Sequence, residues 1–238
     1  MFLIRCSLLA AFSTLILTPT TKAATLWTND FESAGGYVTS STAGFSAALV
    51  ANPDASGVNT SAQVLGINIT AAGSSDRFFE VRGKSAGATA GYSLAGLGTP
   101  GDTNFKFTLT FDIYIPSGGT TVTSDDRLLY ILRFTNGQSD SVTPSVLGVT
   151  TFDISNAANR GSWKTLTYTG TVPALDANSQ AVNYITPIIS WKDGAGNDTA
   201  GVMAYMDNVS FTVSTVPEPG RAMLLLMGLS AFLWRRRR

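Results

Sequence analysis

Large apolar residues and polar residues alternate one by one through the middle of the chain, most clearly between positions 105 and 115. The apolar positions in this segment are Phe105, Phe107, Leu109, Phe111, Ile113 and Ile115. Polar residues and the amphipathic Tyr114 occupy the positions between them. Because successive side chains of a strand point to opposite faces of a sheet, this pattern predicts a half-buried strand about eleven residues long.

Weaker versions of this alternation recur at residues 63–70, 77–82, 128–135, 146–154, 163–172, 184–191 and 202–213. Turn-forming residues separate the segments, as in Asn136-Gly137. The Gly- and Ala-rich stretch 86–100 is either a loop or a weak edge strand. No convincing amphipathic helix precedes residue 216. Many strands joined by turns, without crossover helices, predict an all-β fold in the form of an antiparallel β-sandwich over residues 24–215.

The first 23 residues have the composition of a secretory signal peptide. Arg5 lies near the start, an apolar run follows from residue 8 to residue 17, and small residues precede Ala23. This order predicts cleavage after Ala23. A retained N-terminal membrane helix is the alternative, but the apolar run is short for a membrane span.

The last 23 residues combine three features. They are the motif Pro217-Glu218-Pro219, an apolar run over residues 222–234, and the basic cluster Arg235, Arg236, Arg237 and Arg238. The two prolines favour an extended spacer, and the arginines are expected to stay on the cytoplasmic side of a membrane. The thirteen apolar residues rise only about 20 Å as a helix, whereas the hydrocarbon core of a bilayer is about 30 Å thick. A helix packed on the domain is the alternative, but the run has almost no polar face.

This tail resembles the PEP-CTERM sorting signal of exported bacterial proteins. The resemblance implies a C-terminal membrane helix, recognition by an exosortase-type processing enzyme, and a location at the membrane and then at the cell surface or in the extracellular matrix. It also implies an association with extracellular polysaccharide. The chain then divides into a signal peptide (1–23), a β-sandwich domain (24–215) and a sorting tail (216–238).

Composition narrows the functions that are open to the domain. The whole chain has a formal net charge of zero, but residues 24–215 contain nine Lys or Arg and fifteen Asp or Glu, a net charge of −6. This acidity argues against nucleic acid as a partner. The chain contains no histidine, and its one cysteine, Cys6, lies in the predicted signal peptide. Catalysis by Ser-His-Asp or Cys-His groups and zinc bound by histidine are therefore excluded.

Three short motifs in the predicted sandwich resemble those of jelly-roll carbohydrate-binding modules. They are Asp30-Phe31-Glu32 near its start, Trp163-Lys164 in a strand that runs on to Thr171-Val172-Pro173, and Asp207-Asn208-Val209 near its end. The resemblance implies a jelly roll and a non-catalytic module that binds polysaccharide. It also implies a structural calcium ion between the first and last strands, with Asp30, Glu32 and Asp207 as its candidate ligands.

Sugars stack on exposed aromatic side chains, so aromatic residues within strands are the candidates for a glycan site. Tyr114 and Trp191 are proposed as stacking residues. The alternation in 105–115 places Tyr114 on the face opposite the apolar row. Trp163 is expected in the core, as is usual for a tryptophan within a strand.

Two other functions stay open. Hydrolysis or elimination on a polysaccharide requires only two carboxylates that face one cleft. The domain contains just two glutamates, Glu32 and Glu80, and no closely spaced acidic motif, so we do not expect an enzyme. Glu80 is more simply explained as an outward strand residue beside a cation. The second alternative is a purely structural matrix component without a ligand.

Overall fold

The computed structural model describes residues 22–71, 77–83, 91–117, 126–137, 145–194 and 199–216. Of the predicted signal peptide it describes Lys22 and Ala23, and of the predicted tail it describes Val216. The sorting motif, the run 222–234 and the arginine cluster lie outside the described residues. Among the described residues, no helix is long and apolar enough to cross a membrane.

Twelve strands and one short 3-10 helix at Ala157–Asn159 make up the regular structure of the described residues. The strands are β1 (Lys22–Asn29), β2 (Tyr37–Ser41), β3 (Phe45–Ala51), β4 (Gln63–Ile69), β5 (Arg77–Gly83), β6 (Tyr92–Ser93), β7 (Phe105–Tyr114), β8 (Arg127–Thr135), β9 (Ser145–Phe152), β10 (Trp163–Thr171), β11 (Tyr184–Asp193) and β12 (Gly201–Thr215).

These strands form two six-stranded sheets in which neighbouring strands are antiparallel. Sheet A has the order β10-β7-β12-β4-β3, and β1 also pairs with β12. Sheet B has the order β2-β5-β11-β8-β9, and β6 also pairs with β11. The chain passes repeatedly from one sheet to the other, as in a jelly roll. The prediction of an antiparallel β-sandwich is thus confirmed for the described residues.

The core lies between the two sheets and is rich in aromatic side chains. Phe107 of β7 packs against Phe211 of β12, with ring centroids 6.4 Å apart, and against Phe134 of β8, at 6.3 Å. Since β7 belongs to sheet A and β8 to sheet B, the contact between Phe107 and Phe134 joins the sheets. Burial of one such side chain contributes about 1.5–3 kcal/mol. The apolar row predicted for 105–115 supplies the core face of β7, and each of its members is buried.

Strand β12 is the longest and has a neighbour on both sides over much of its length. It pairs with β7 on one side and with β4 and then β1 on the other. Its pairing with β7 is interrupted by a β-bulge between Asp207 and Ser210, where Asn208 has a φ of +48°. The pairing with β1 sets Lys22 opposite Thr215. The first and last described strands therefore begin and end at the same corner of the sandwich.

Three strands were not predicted from the sequence: β1, β2 and β3. Strand β6 is only two residues long and lies in the stretch that is predicted as a loop or an edge strand. Strands β2 and β3 lie at the edges of their sheets, and many of their side chains are exposed. An edge strand buries little side-chain surface, so its sequence needs no clear apolar row.

Trp191 belongs to the core, and the prediction that it stacks on a glycan is wrong. Its side chain is 0% exposed. Phe79 and Leu128 are its partners on the neighbouring strands and belong to the same core cluster. Most side chains of β11 are buried on both faces of the strand. The polar–apolar alternation that identifies an outward residue is therefore weak in this strand.

Replacing Trp191 with alanine should lower the free energy of unfolding by about 3–5 kcal/mol, because it removes a large, fully buried side chain. Chemical denaturation of the wild type and the variant measures this difference. Leu175→Ala is a suitable control, since Leu175 is 54% exposed, and it should change stability by less than about 0.5 kcal/mol. A cost below about 1 kcal/mol for Trp191→Ala would contradict the core position.

Candidate functional site

The side chains of β7, β10 and β12 that point away from the core form one surface, which we call the outer face of sheet A. The strand register arranges them in rows, namely Trp163–Tyr114–Tyr205, Thr165–Asp112–Asp207, Thr167–Thr110–Ser210 and Thr169–Thr108–Thr212. Aromatic rings thus lie at one end of the face, carboxylates come next, and hydroxyl groups fill the remainder.

Tyr114 lies at the centre of the aromatic end, on the face where the alternation of β7 predicts it. It is half-buried, and its ring centroid lies 5.7 Å from that of Trp163 and 5.9 Å from that of Tyr205. Trp163 is buried but lies outside the main core cluster, and its Nε1 donates a hydrogen bond to Asn52 Oδ1 at 3.1 Å. Tyr114 and the equally half-buried Tyr205 therefore offer aromatic surface toward solvent.

Asp112 and Asp207 are paired across β7 and β12, and both are buried. The Thr165 hydroxyl donates to Asp112 Oδ1 at 2.6 Å, and Asn208 Nδ2 donates to Asp112 Oδ2 at 2.8 Å. Asn59 Nδ2 donates to Asp207 Oδ2 at 2.7 Å. Because they are buried, these carboxylates are suited to hold Thr165, Asn208 and Asn59 in place by hydrogen bonds rather than to contact a ligand directly.

Burial is the main influence on the pKa of Asp207, which it raises above the usual value for an aspartate. The charge of Asp112 raises the pKa further. Hydrogen bonds from Ser61 and Asn59 act in the opposite direction but do not cancel the rise. An ionised Asp207 therefore costs the folded state free energy, since desolvation of a charge is only partly offset by donors.

A cavity of about 440 Å³ lies beside this face, between the end of β1 and the bulge of β12. Its lining is mostly polar and consists of Thr28, Asn29, Asp30, Ser33, Gly35, Gly36, Asn208 and Val209. Asn208 lines the cavity and also donates to Asp112, so the cavity is continuous with the outer face of sheet A. Amide, hydroxyl and carboxylate groups around an open cavity are suited to hydrogen bonding with sugar hydroxyls.

The three predicted calcium ligands do not form one site. Asp30 is exposed at the cavity, Glu32 Oε1 accepts the Ala62 N–H at 2.6 Å, and Asp207 is engaged by Asn59. The described residues contain no group of three or more acidic side chains that are close enough to hold a metal ion together. The three residues therefore do not converge as one group of ligands, and calcium binding itself stays a prediction.

The two glutamates that a hydrolase or lyase would need are bound to different sheets, and Glu32 itself lies in the loop after β1. Glu32 contacts the start of β4 in sheet A, through Ala62 and Gln63. Glu80 lies on β5 of sheet B, where Arg82 donates to its Oε2 from Nε at 3.0 Å and from Nη2 at 2.6 Å. Glu80 is thus the strand residue beside a cation that the sequence suggests. Glu32 and Glu80 do not face one cleft.

Tyr205 is one of the large aromatic residues within the predicted strands but was not selected as a stacking residue, and the polar cavity was not predicted. Tyr205 stands two positions before Asp207, so alternation alone could have placed it on the same face as that carboxylate. No pattern in the sequence indicates the cavity, because its shape depends on the conformation of the loop after β1. Phe31 in that loop has a φ of +49°, and its N–H is bonded to Asn29 Oδ1 at 2.8 Å.

No family model matches the sequence, and no curated protein matches it. One similar solved structure is the family 11 carbohydrate-binding module from Clostridium thermocellum in complex with a β-1,3-1,4-mixed-linked tetrasaccharide. Its sequence identity is 16%, its TM-score is 0.40, and the match covers 80% of this chain and 94% of that chain. Another is the CBM22-2 xylan-binding domain of Xyn10C from Paenibacillus barcinonensis, with 14% identity, a TM-score of 0.44 and coverages of 79% and 98%.

Both structures are carbohydrate-binding modules, the class that the three sequence motifs resemble. A structural similarity of this degree does not identify a ligand for this chain. A ligand has to be inferred from the chemistry of its own residues.

Replacing Asp207 with asparagine should change how stability depends on pH. A carboxyl whose pKa is raised on folding binds more protons in the folded state than in the unfolded state. Stability is therefore lost as the pH rises from the ordinary aspartate value, about 3.9, through the raised value. The Asp207→Asn variant does not lose stability in this way, because an asparagine side chain does not titrate. Urea denaturation from pH 3.5 to pH 8 should show the wild type losing stability relative to the variant over that window.

A stability difference between the two proteins that is constant over the whole pH range would contradict the raised pKa. A difference that changes in the opposite direction, with the wild type gaining on the variant as pH rises, would do the same.

Proposed function

We propose that the domain is a non-catalytic polysaccharide-binding module and that its ligand lies on the outer face of sheet A. One observation carries the proposal: Tyr114 and Tyr205 share a solvent-facing surface with rows of hydroxyl groups and an adjoining polar cavity. Aromatic rings bind the apolar faces of sugars, and the polar groups bind their hydroxyls.

The charge distribution on this face favours a neutral glycan. Asp112 and Asp207 are buried, and Lys106, at the far end of β7, donates to the Thr171 hydroxyl at 2.8 Å. Between these charges, Thr165, Thr167 and Thr169 expose hydroxyl groups along β10. The exposed Asp30 lies in the cavity and would repel a carboxylate on the ligand. A chain of neutral sugars along the strands meets hydroxyls and aromatic rings without a charge to oppose it.

The proposal extends to export and anchoring. Residues 1–23 and 216–238 would deliver the domain and hold it at the membrane, with the tail as the substrate of an exosortase-type enzyme. Because β1 begins and β12 ends at the same corner, the predicted tail would continue the chain from that corner. Tyr205 precedes Thr215 by ten residues of strand, about 33 Å. The aromatic end of the outer face of sheet A would then lie far from the anchored corner and be accessible to extracellular polysaccharide.

Replacing Tyr114 with alanine should weaken glycan binding about three- to tenfold, because the stacking surface is lost. Affinity electrophoresis of the full chain through gels that contain neutral polysaccharides, among them mixed-linkage β-glucan, xylan, cellulose derivatives and galactan, first finds the ligand and then compares the variants. Tyr114→Phe should retain binding, since the ring is kept. Tyr184→Ala, which removes a half-buried tyrosine on sheet B, is the matched control.

Retardation by none of these glycans would leave the purely structural role as the explanation of the fold. Equal affinities for Tyr114→Ala and the wild type would remove the ligand from the outer face of sheet A. Release of shortened glycan products by the wild type would instead favour the hydrolase or lyase.

The full chain should fractionate with membranes, with its domain accessible to protease from the outside. Deletion of residues 216–238 should release the exported domain in soluble form, because the predicted membrane helix is lost. Cell fractionation and protease protection measure both effects. A full chain that stays in the cytosol with residues 1–23 attached would contradict export.

A further inference from the structure

The loop between β3 and β4, residues 52–62, lies over the outer face of sheet A. Strand β3 is at one edge of this sheet, and β10 is at the opposite edge. Nevertheless Asn52, the first residue of the loop, accepts a hydrogen bond from Trp163 Nε1 of β10 at 3.1 Å. Asn59 of the same loop donates to Asp207 of β12, in the middle of the sheet. The loop therefore extends across the face rather than outward into solvent.

The burial of side chains on the outer face agrees with this position of the loop. Val64 of β4 is 0% exposed although it lies outside the main core cluster, to which its neighbour Leu65 belongs. Because side chains alternate along a strand, Val64 points to the outer face. Trp163 is likewise buried outside that cluster, and Asn59 is buried within the loop. A second, smaller packed region thus lies between the loop and sheet A.

The side-chain amide of Asn52 uses its whole hydrogen-bonding capacity. Its Nδ2 donates to the backbone oxygens of Asn59 at 3.1 Å and Ser61 at 2.9 Å. Its Oδ1 accepts the Asp54 N–H at 2.9 Å as well as the indole N–H of Trp163. An asparagine amide has two hydrogens to donate and two lone pairs with which to accept, and all four are used here. One side chain therefore fixes the fold of the loop and the position of the indole together.

The indole of Trp163 connects the loop to the aromatic end of the outer face. Its ring lies beside that of Tyr114, and Tyr114 lies in turn beside Tyr205. Because Trp163 is buried, it supports one side of Tyr114 instead of offering its own surface to a sugar. A buried N–H without an acceptor costs free energy, so the loss of the Asn52 oxygen would favour another position of the indole. Tyr114 would then lose its fixed neighbour.

We propose that Asn52 is a positioning residue of the glycan site, which acts through Trp163 on Tyr114. This inference rests on the proposed function, because it assumes that sugars stack on Tyr114. Asn52 itself contacts no sugar. It holds the indole in the place where the ring of Tyr114 packs against it, so that the stacking surface is ordered before a glycan binds. Order of this kind in the free protein lowers the entropy that binding costs.

Contacts that do not involve the Asn52 side chain also hold the loop on the sheet. At its base the backbone N–H of Asn52 donates to the Ala62 oxygen at 3.1 Å. The N–H of Ala62 donates to Glu32 Oε1, and Asn59 donates to Asp207. These contacts remain when the side chain of Asn52 is truncated. The effect of Asn52→Ala is therefore expected on the position of the indole rather than on the attachment of the loop.

The test compares Asn52→Ala, Tyr114→Ala and the double variant as full chains in a non-ionic detergent. Affinity electrophoresis uses whichever of mixed-linkage β-glucan, xylan, cellulose derivatives and galactan retards the wild type most. Asn52→Ala should weaken binding about three- to tenfold, as Tyr114→Ala does. The double variant should bind no more weakly than Tyr114→Ala alone, because residues that act through one another are not additive. Asn136→Ala is the control, since it removes an asparagine that donates to the Ala181 oxygen beyond the end of β8 in sheet B.

Near-ultraviolet circular dichroism tests the first step without any glycan. Asn52→Ala should lose the part of the signal that is also missing from Trp163→Phe, whereas Asn136→Ala should keep it. Thermal unfolding checks that each variant is folded. If Asn52→Ala does not fold, Trp163→Phe takes its place in the binding comparison, because it removes the same hydrogen bond and keeps an aromatic ring.

Wild-type affinity of Asn52→Ala, additive losses in the double variant, an unchanged dichroism signal, or an equal loss of binding by Asn136→Ala would each overturn the proposal. A wild type that no glycan retards would overturn the proposed function and, with it, the role of Asn52 in a glycan site. The two failures are distinguishable, because the dichroism shows independently whether Asn52 fixes the indole.

Discussion

The bulge in β12 decides which side chains of sheet A reach solvent. Before the bulge Met206 points into the core, and after it Val209, Phe211 and Val213 do. An unbroken strand would place Met206 and Val209 on opposite faces, because side chains alternate strictly with position. The extra residue at Asn208, with its positive φ, changes the phase so that both apolar runs are buried. Without that change, either Met206 or the Val209–Val213 row would face water.

The same change of phase builds the outer face of sheet A. It places Tyr205 and Asp207 before the bulge, and Ser210 and Thr212 after it, on one surface with Tyr114 and Asp112 of β7. It also directs Asn208 toward Asp112 and into the wall of the polar cavity. A local irregularity that the core requires thus creates the place where aromatic, carboxylate and amide groups meet. Packing and candidate binding chemistry are consequences of one backbone feature.

Strands that bury one face and expose the other were predictable from the sequence. In β7 the alternation is unbroken, and it placed both the core row and Tyr114 correctly. Strand β11 is buried on both faces, so its sequence carried no sign of which side faces the core, and Trp191 was assigned to the wrong side. In β12 the bulge leaves a trace, the three-residue spacing between Met206 and Val209, which a search for period two alone does not detect.

Sites that depend on register and on loops were harder to predict than strands. Asn52 and Trp163 stand 111 positions apart in the sequence, and only the fold of the loop 52–62 over sheet A brings them into contact. The candidate calcium ligands illustrate the converse. Asp30, Glu32 and Asp207 come from the first and last parts of the domain, but the loop after β1 directs Glu32 to the start of β4. Strands β1 and β12 are neighbours, but this does not bring the three carboxylates together.

Hydroxyl-radical footprinting of the full chain tests most directly which side chains face solvent, because oxidation reports the exposure of each one. The structure predicts that Tyr114 and Tyr205 are oxidised in the free protein and protected by the bound neutral glycan, while Trp191 is unreactive in both states. Oxidation of Trp191 in the folded protein, with Tyr114 and Tyr205 inert, would show that the strand faces are assigned the wrong way round.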